Sequence, residues 1–204
     1  MVYIFSIILT MKKYLNKITK VSSERGFTIL ELTVSMLIIG VISAIVFANY
    51  NAGRRQEALN RSAQRLAVAI RQAQNYALFS RVGKCKGVPA APSGGYGVYI
   101  TSSISPFKYM IFGDCDNGLV NNPPIANHMY DSSTDDVIST INVESGVQIL
   151  SALNISLAFE PPIGKFYYQN VVPATSQAIT LQDAADVTKQ KTITISVNGS
   201  VSVQ

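Results

Sequence analysis

FTILELTVSMLIIGVISAIVFA, residues Phe27 to Ala48, decides how the rest of the chain is read. As a helix these residues span about 33 Å at roughly 1.5 Å per residue, enough to cross a hydrocarbon core of about 30 Å. Lys12, Lys13, Lys17, Lys20 and Arg25 precede the run, against a single Glu24. That excess predicts a cytoplasmic N-terminus and an outward-facing C-terminal part. A secretory signal would have a shorter apolar core and a small-residue cleavage site after it. Asn49-Tyr50-Asn51-Ala52-Gly53 offers no such site.

Glu31 is out of place in this run. A carboxylate well inside a span costs on the order of 2.5–3.5 kcal/mol on insertion scales. Either it lies near the interface and reaches towards water, or it has a cationic partner. The run holds no Lys or Arg, so that partner must be a chain terminus or another chain. A free amino group made by cutting just before Phe27 would serve.

Arg25-Gly26-Phe27-Thr28-Ile29-Leu30-Glu31-Leu32, followed by the apolar run, closely resembles the leader signal of type IV pilins and pseudopilins. The resemblance implies cleavage between Gly26 and Phe27 by a prepilin peptidase on the cytoplasmic face, and N-methylation of Phe27. It also implies that Glu31, the fifth residue after the cut, neutralises the N-terminal ammonium of a neighbouring subunit during assembly. Residues 1–26 are then a removable leader. Such leaders are usually short and hydrophilic. Here residues 2–9 read VYIFSIIL, whereas a start at Met11 gives the ordinary MKKYLNKITKVSSERG. Many pilins carry a proline near the end of the span; here none lies between Phe27 and Val88.

Beyond the span, residues 49–81 keep a helical period. Leu59, Ala63, Leu66, Ile70, Ala73 and Ala77 recur every three or four positions and form one apolar stripe. Arg54, Arg61, Arg65 and Gln72 fall opposite. The two stretches together predict one helix of about 55 residues. Residues 49–81 hold six Arg and one Glu, whereas residues 82–204 hold six Lys and nine acids. The arginine face is therefore either solvated or available to the acidic heads of neighbouring subunits.

Past Arg81 the chain becomes rich in Gly, Pro and Ser, then in short β-forming runs. These are Tyr96–Thr101, Phe107–Phe112, Val137–Val143, Ile155–Phe159, Lys165–Gln169, Ala178–Leu181, Lys191–Val197 and Ser200–Val203. Asn198-Gly199 between alternating runs is a strong hairpin signal. The expected fold is α+β and pilin-like: one long N-terminal helix, half membrane-spanning and half amphipathic, packed on an antiparallel β-sheet head. The parts are a leader at 1–26, a span at 27–48, an amphipathic continuation at 49–81 and a β-rich head at 82–204. Tyr96-Gly97-Val98-Tyr99, Phe112-Gly113-Asp114, Phe159-Glu160-Pro161 and the closing hairpin are similar to those of GspH/FimT-type minor subunits.

Cys85 and Cys115 flank a candidate hairpin. They either form a disulfide, which an oxidising compartment would favour, or remain two thiols; their spacing suits no zinc site. Asp114, Asp116 and Gly118 resemble the start of a calcium loop, but Ile125 stands where a closing Glu is needed, so a polar turn is the simpler reading. Asp131, Asp135 and Asp136 read as a solvated loop. His128, the sole imidazole, has no neighbouring nucleophile signature.

The expectation is a structural subunit without a cofactor, not an enzyme: a minor pilin or pseudopilin of a type IV pilus or type II secretion machine. It would sit in the inner membrane with its head outside, and its partners would be the prepilin peptidase and sister subunits. The alternative is a DNA-uptake minor pilin. The acidic head and the absence of Lys and Arg from Asn198 to Gln204 argue against nucleic acid as a partner.

Overall fold

The computed structural model describes residues 27–85, 88–101, 107–115, 127–150 and 154–204. One helix, α1, runs from Ile29 to Leu78. The chain forms two compact units, Met1–Asn49 and Tyr50–Gln204, and each is described in turn.

In the first unit α1 is apolar, and its described side chains are exposed. Ile29, Leu30, Leu37, Ile39 and Phe47 are each more than three-fifths accessible. This portion is long and apolar enough to cross a membrane. Two of its hydroxyls are satisfied by the preceding turn: Thr33 Oγ1 donates to Leu30 O at 2.9 Å and Ser35 Oγ to Glu31 O at 2.7 Å.

In the second unit α1 lays its stripe on a β structure. Leu59, Ala63, Leu66, Ile70, Ala73 and Ala77, the stripe legible in the sequence, are all fully buried. Alanines at so many of these positions let the helix axis approach the sheets closely. Facing them in one core are Val98, Ile100, Leu157, Phe159, Ile179, Leu181, Ile193 and Ile195.

The strands are β1 (Gly83–Cys85), β2 (Val88–Ala90), β3 (Gly95–Thr101), β4 (Lys108–Asp114), β5 (Asp136–Asn142), β6 (Val147–Ile149), β7 (Ile155–Glu160), β8 (Lys165–Tyr168), β9 (Gln177–Asp183), β10 (Asp186–Ile195) and β11 (Val201–Val203). The single sheet expected is in fact divided. A five-stranded sheet has the order β5-β4-β3-β7-β8, a four-stranded one the order β11-β10-β9-β6, and β1 with β2 makes a separate hairpin. All of the pairings are antiparallel.

The five-stranded sheet is covered on both faces. Val98, Ile100, Ile111 and Leu157 face α1. On the other face Phe112 sits opposite Gly97, where a Cβ would come within 2.6 Å of the Phe112 ring. The segment Asn127–Asp135 lies over this second face, with the Tyr130 ring against Tyr99 (4.7 Å) and Phe112 (5.5 Å).

The β10–β11 hairpin forms, but not by the two-residue turn its sequence suggests. β10 ends at Ile195, Gly199 N donates to Ser196 O at 2.8 Å, and Gly199 has φ +83° while Asn198 is not in the left-handed region. A type I′ turn needs both central residues left-handed. Here Val197 and Asn198 make the turn, and Gly199 alone supplies the reversal in twist.

Candidate functional site

Gly26 and the leader lie outside the described residues. From Phe27 onward the start of α1 is explicit. Phe27 is 75% exposed. Thr28 precedes the helix, and its Oγ1 accepts the Glu31 N–H at 3.2 Å. That is the first half of a capping box: the hydroxyl satisfies an amide that has no partner within the helix. The Thr-x-x-Glu spacing of Thr28 and Glu31 is the sequence signal of this cap. Glu31 thus lies in the first turn of α1, at the end where the helix dipole favours negative charge. Among the described residues no Lys or Arg is within ion-pair range of it.

The arginines of residues 50–78 are mostly engaged within the chain. Arg61 donates from Nε and Nη2 to the two carboxylate oxygens of Glu144, at 3.0 and 2.8 Å. Arg65 Nη1 stands 3.3 Å from the same carboxylate, and Glu57 pairs with Arg61 at 3.5 Å. Arg61, with Arg65 adding its charge, holds Glu144 below the usual carboxylate range. Arg55 Nε lies 3.7 Å from Asp183, whose side chain is buried. Arg71 donates to Val201 O at 2.9 Å. This revises the arginine face in part: Arg61 and Arg65 pair with Glu144 of their own head, whereas Arg54 stays exposed. Glu144 carried no sequence signal that would have revealed this.

Cys85 and Cys115 are joined by a disulfide, with Cα atoms 5.6 Å apart. It ties the β1–β2 hairpin to the end of β4. Next to it lies a buried polar cluster. The side chain of Asp114 is 2% exposed, and its Oδ2 accepts the His128 N–H at 2.8 Å. His128 is itself buried, its ring stacked on Tyr167 at 3.6 Å, and its Nδ1 is 3.6 Å from the same Asp114 oxygen. Asp135 accepts the Cys115 N–H at 3.0 Å and the Asp131 N–H at 2.7 Å. Burial pushes the Asp135 carboxyl up to about 7; the two amide hydrogen bonds oppose the shift and the Asp114 charge adds to it.

One expectation changes here. Asp135 does not sit in a solvated loop; with His128 it helps build the cover of the sheet. Asp114 spends its carboxylate on a backbone amide, and among the described residues no three potential ligands gather for a metal. Asp116, the other calcium candidate, lies outside the described residues.

Residues 21–47 match the prokaryotic N-terminal methylation motif. The match covers the N-terminal part of the chain alone. The motif spans Gly26, Phe27, Glu31 and most of the apolar run. Two crystal structures of the type IV minor pilin FimU of Pseudomonas aeruginosa (strain PAO1) are similar to this chain, each at 12% identity. The TM-scores are 0.41 and 0.42, over 72% and 78% of this chain and 92% of FimU. No curated protein matches the chain.

Proposed function

We propose that this chain is a minor pilin or pseudopilin, a structural subunit of a type IV pilus or type II secretion pseudopilus. Prepilin peptidase cuts between Gly26 and Phe27 on the cytoplasmic side of the inner membrane, and the new Phe27 amino group is methylated. The N-terminal part of α1 holds the subunit in the membrane with its head outside, and then packs among like helices.

The observation that carries this reading is Glu31: one carboxylate in a 22-residue apolar run, in the first turn of α1, with no cation of the described chain beside it. A neighbouring subunit's Phe27 ammonium supplies the missing charge. In an apolar setting that pair is far stronger than it would be in water, and it forms only between trimmed chains. Gly26 leaves room at the scissile bond for the peptidase.

The test is intact mass measured on protein recovered from its native membrane. The expected species begins at methylated Phe27. Gly26→Ala should leave the uncut precursor. Wild-type protein that still begins upstream of Gly26 would remove the assembly mechanism.

A further inference from the structure

Arg54 differs from the arginines that follow it. Arg55 has Asp183, and Arg61 and Arg65 have Glu144. Arg54 is exposed, has no carboxylate within ion-pair range among the described residues, and instead places its guanidinium over the Tyr50 ring at 5.6 Å. Tyr50 is itself 59% exposed. The two are one helical turn apart, and helix side chains lean towards the N-terminus. The charge of Arg54 is therefore carried back along α1 towards Tyr50, which stands two residues beyond Ala48, the last apolar residue of the span.

Chain order fits a particular layer. Tyr50 and Arg54 follow Ala48 by only two and six residues, so both enter the layer next to the span. The headgroup region on each side of a bilayer is about 5–8 Å deep. Tyrosine is enriched at that level because one end of its ring system is apolar and the other polar. A guanidinium drawn back over the ring meets phosphate with its planar fork of donors, a geometry suited to two-pronged bonding.

We propose that Tyr50 and Arg54 form a headgroup-binding site for anionic phospholipid on the outer face of the membrane, occupied while the subunit waits there for assembly. The site rests on the membrane-anchored reading above. The stacked tyrosine restrains the cation, and a lipid phosphate supplies the counter-charge that the head gives to Arg55, Arg61 and Arg65.

The experiment uses the full chain reconstituted in nanodiscs. The protein has no tryptophan, so Tyr50→Trp introduces a single reporter and keeps an aromatic ring at the site. Nanodiscs contain phosphatidylcholine with a minor fraction of phosphatidylglycerol, and one or the other lipid is brominated near the headgroup. Brominated phosphatidylglycerol is expected to quench about fivefold more than its mole fraction predicts, as for one cation at an anionic surface. Arg54→Gln should abolish the excess, and free inorganic phosphate should not.

Quenching in proportion to mole fraction would overturn the lipid site and leave the anchor intact. Loss of the excess on adding phosphate would reduce the site to a generic anion contact and overturn it as well. No quenching by either brominated lipid would overturn both the site and the membrane-anchored reading. If Arg54→Gln keeps the excess but lowers incorporation into filaments, the partner is a neighbouring subunit and the lipid assignment fails.

Discussion

Arg61 and Glu144, 83 positions apart, meet through two parallel hydrogen bonds of 3.0 and 2.8 Å. The pair fastens α1 to the segment between β5 and β6, where Ser62 Oγ also accepts the Glu144 N–H at 3.3 Å. Glu144 is only one-fifth exposed and Arg61 about half, so the geometry is better than that of an ordinary surface pair, although water still screens it. Glu144→Gln should lower the stability of residues 50–204 by about 1 kcal/mol. A double-mutant cycle with Arg61→Gln, read by urea unfolding, should show most of that loss as coupling. Additive single effects would mean that the pair holds nothing.

The same carboxylate sets a pH dependence. Its folded-state value lies below the ordinary range, so its contribution is present above the unfolded pKa of about 4.3 and fades as the pH falls through the lower folded value. Asp135 acts in the opposite sense. With a folded value of about 7 against an unfolded one near 3.9, the fold binds that proton more tightly than the unfolded chain does. Stability should therefore rise as pH falls from about 7 towards 4. Asp135→Asn should flatten this slope in thermal melts across the window. An unchanged slope would show that another group is responsible.

Removing the Cys85–Cys115 crosslink releases a loop of 30 residues. In the chain-entropy model this costs about 3–4 kcal/mol. The double variant Cys85→Ser/Cys115→Ser should unfold at correspondingly lower urea, and a reductant should shift the parent protein but not the variant.

Glu31→Ala should leave membrane insertion unchanged, since it removes a charge from an apolar segment, and should abolish incorporation into filaments. Fractionation of membranes and sheared filaments reads both. Normal co-purification of the variant with filaments would mean that Glu31 has no assembly partner.

The sequence conveyed the helix and most of the strands because their periods are long enough to read. The stripe from Leu59 to Ala77 is buried as its spacing implies, and β3, β4, β5, β7 and β8 fall within a residue or two of their expected bounds. β1, β2 and β6 have three residues each, too few to show any alternation. The cover of the second sheet face was hidden for a different reason. Asn127–Asp136 is rich in Asp, Ser and Asn, a composition that reads as solvated. Yet Asp114 and Asp135 are buried or half-buried because they answer backbone amides that the irregular segment leaves without strand partners. At the candidate site, Glu31 stands out from local pattern alone, whereas Gly26 and Phe27 are marked only by the resemblance to the leader signal. The Arg61–Glu144 clamp does not stand out, since nothing local marks one glutamate among nine acids as the partner.

With α1 on one side of the five-stranded sheet and Asn127–Asp135 on the other, the first half of its central strand has no wet side. In β3, Tyr96, Gly97 and Val98 are consecutive and all buried. A saturation scan over Gly95 to Val98 should therefore lack the every-other-residue tolerance typical of half-solvated strands. Adjacent codons there should prove equally unforgiving, so drift in this protein would be confined to its rims and turns.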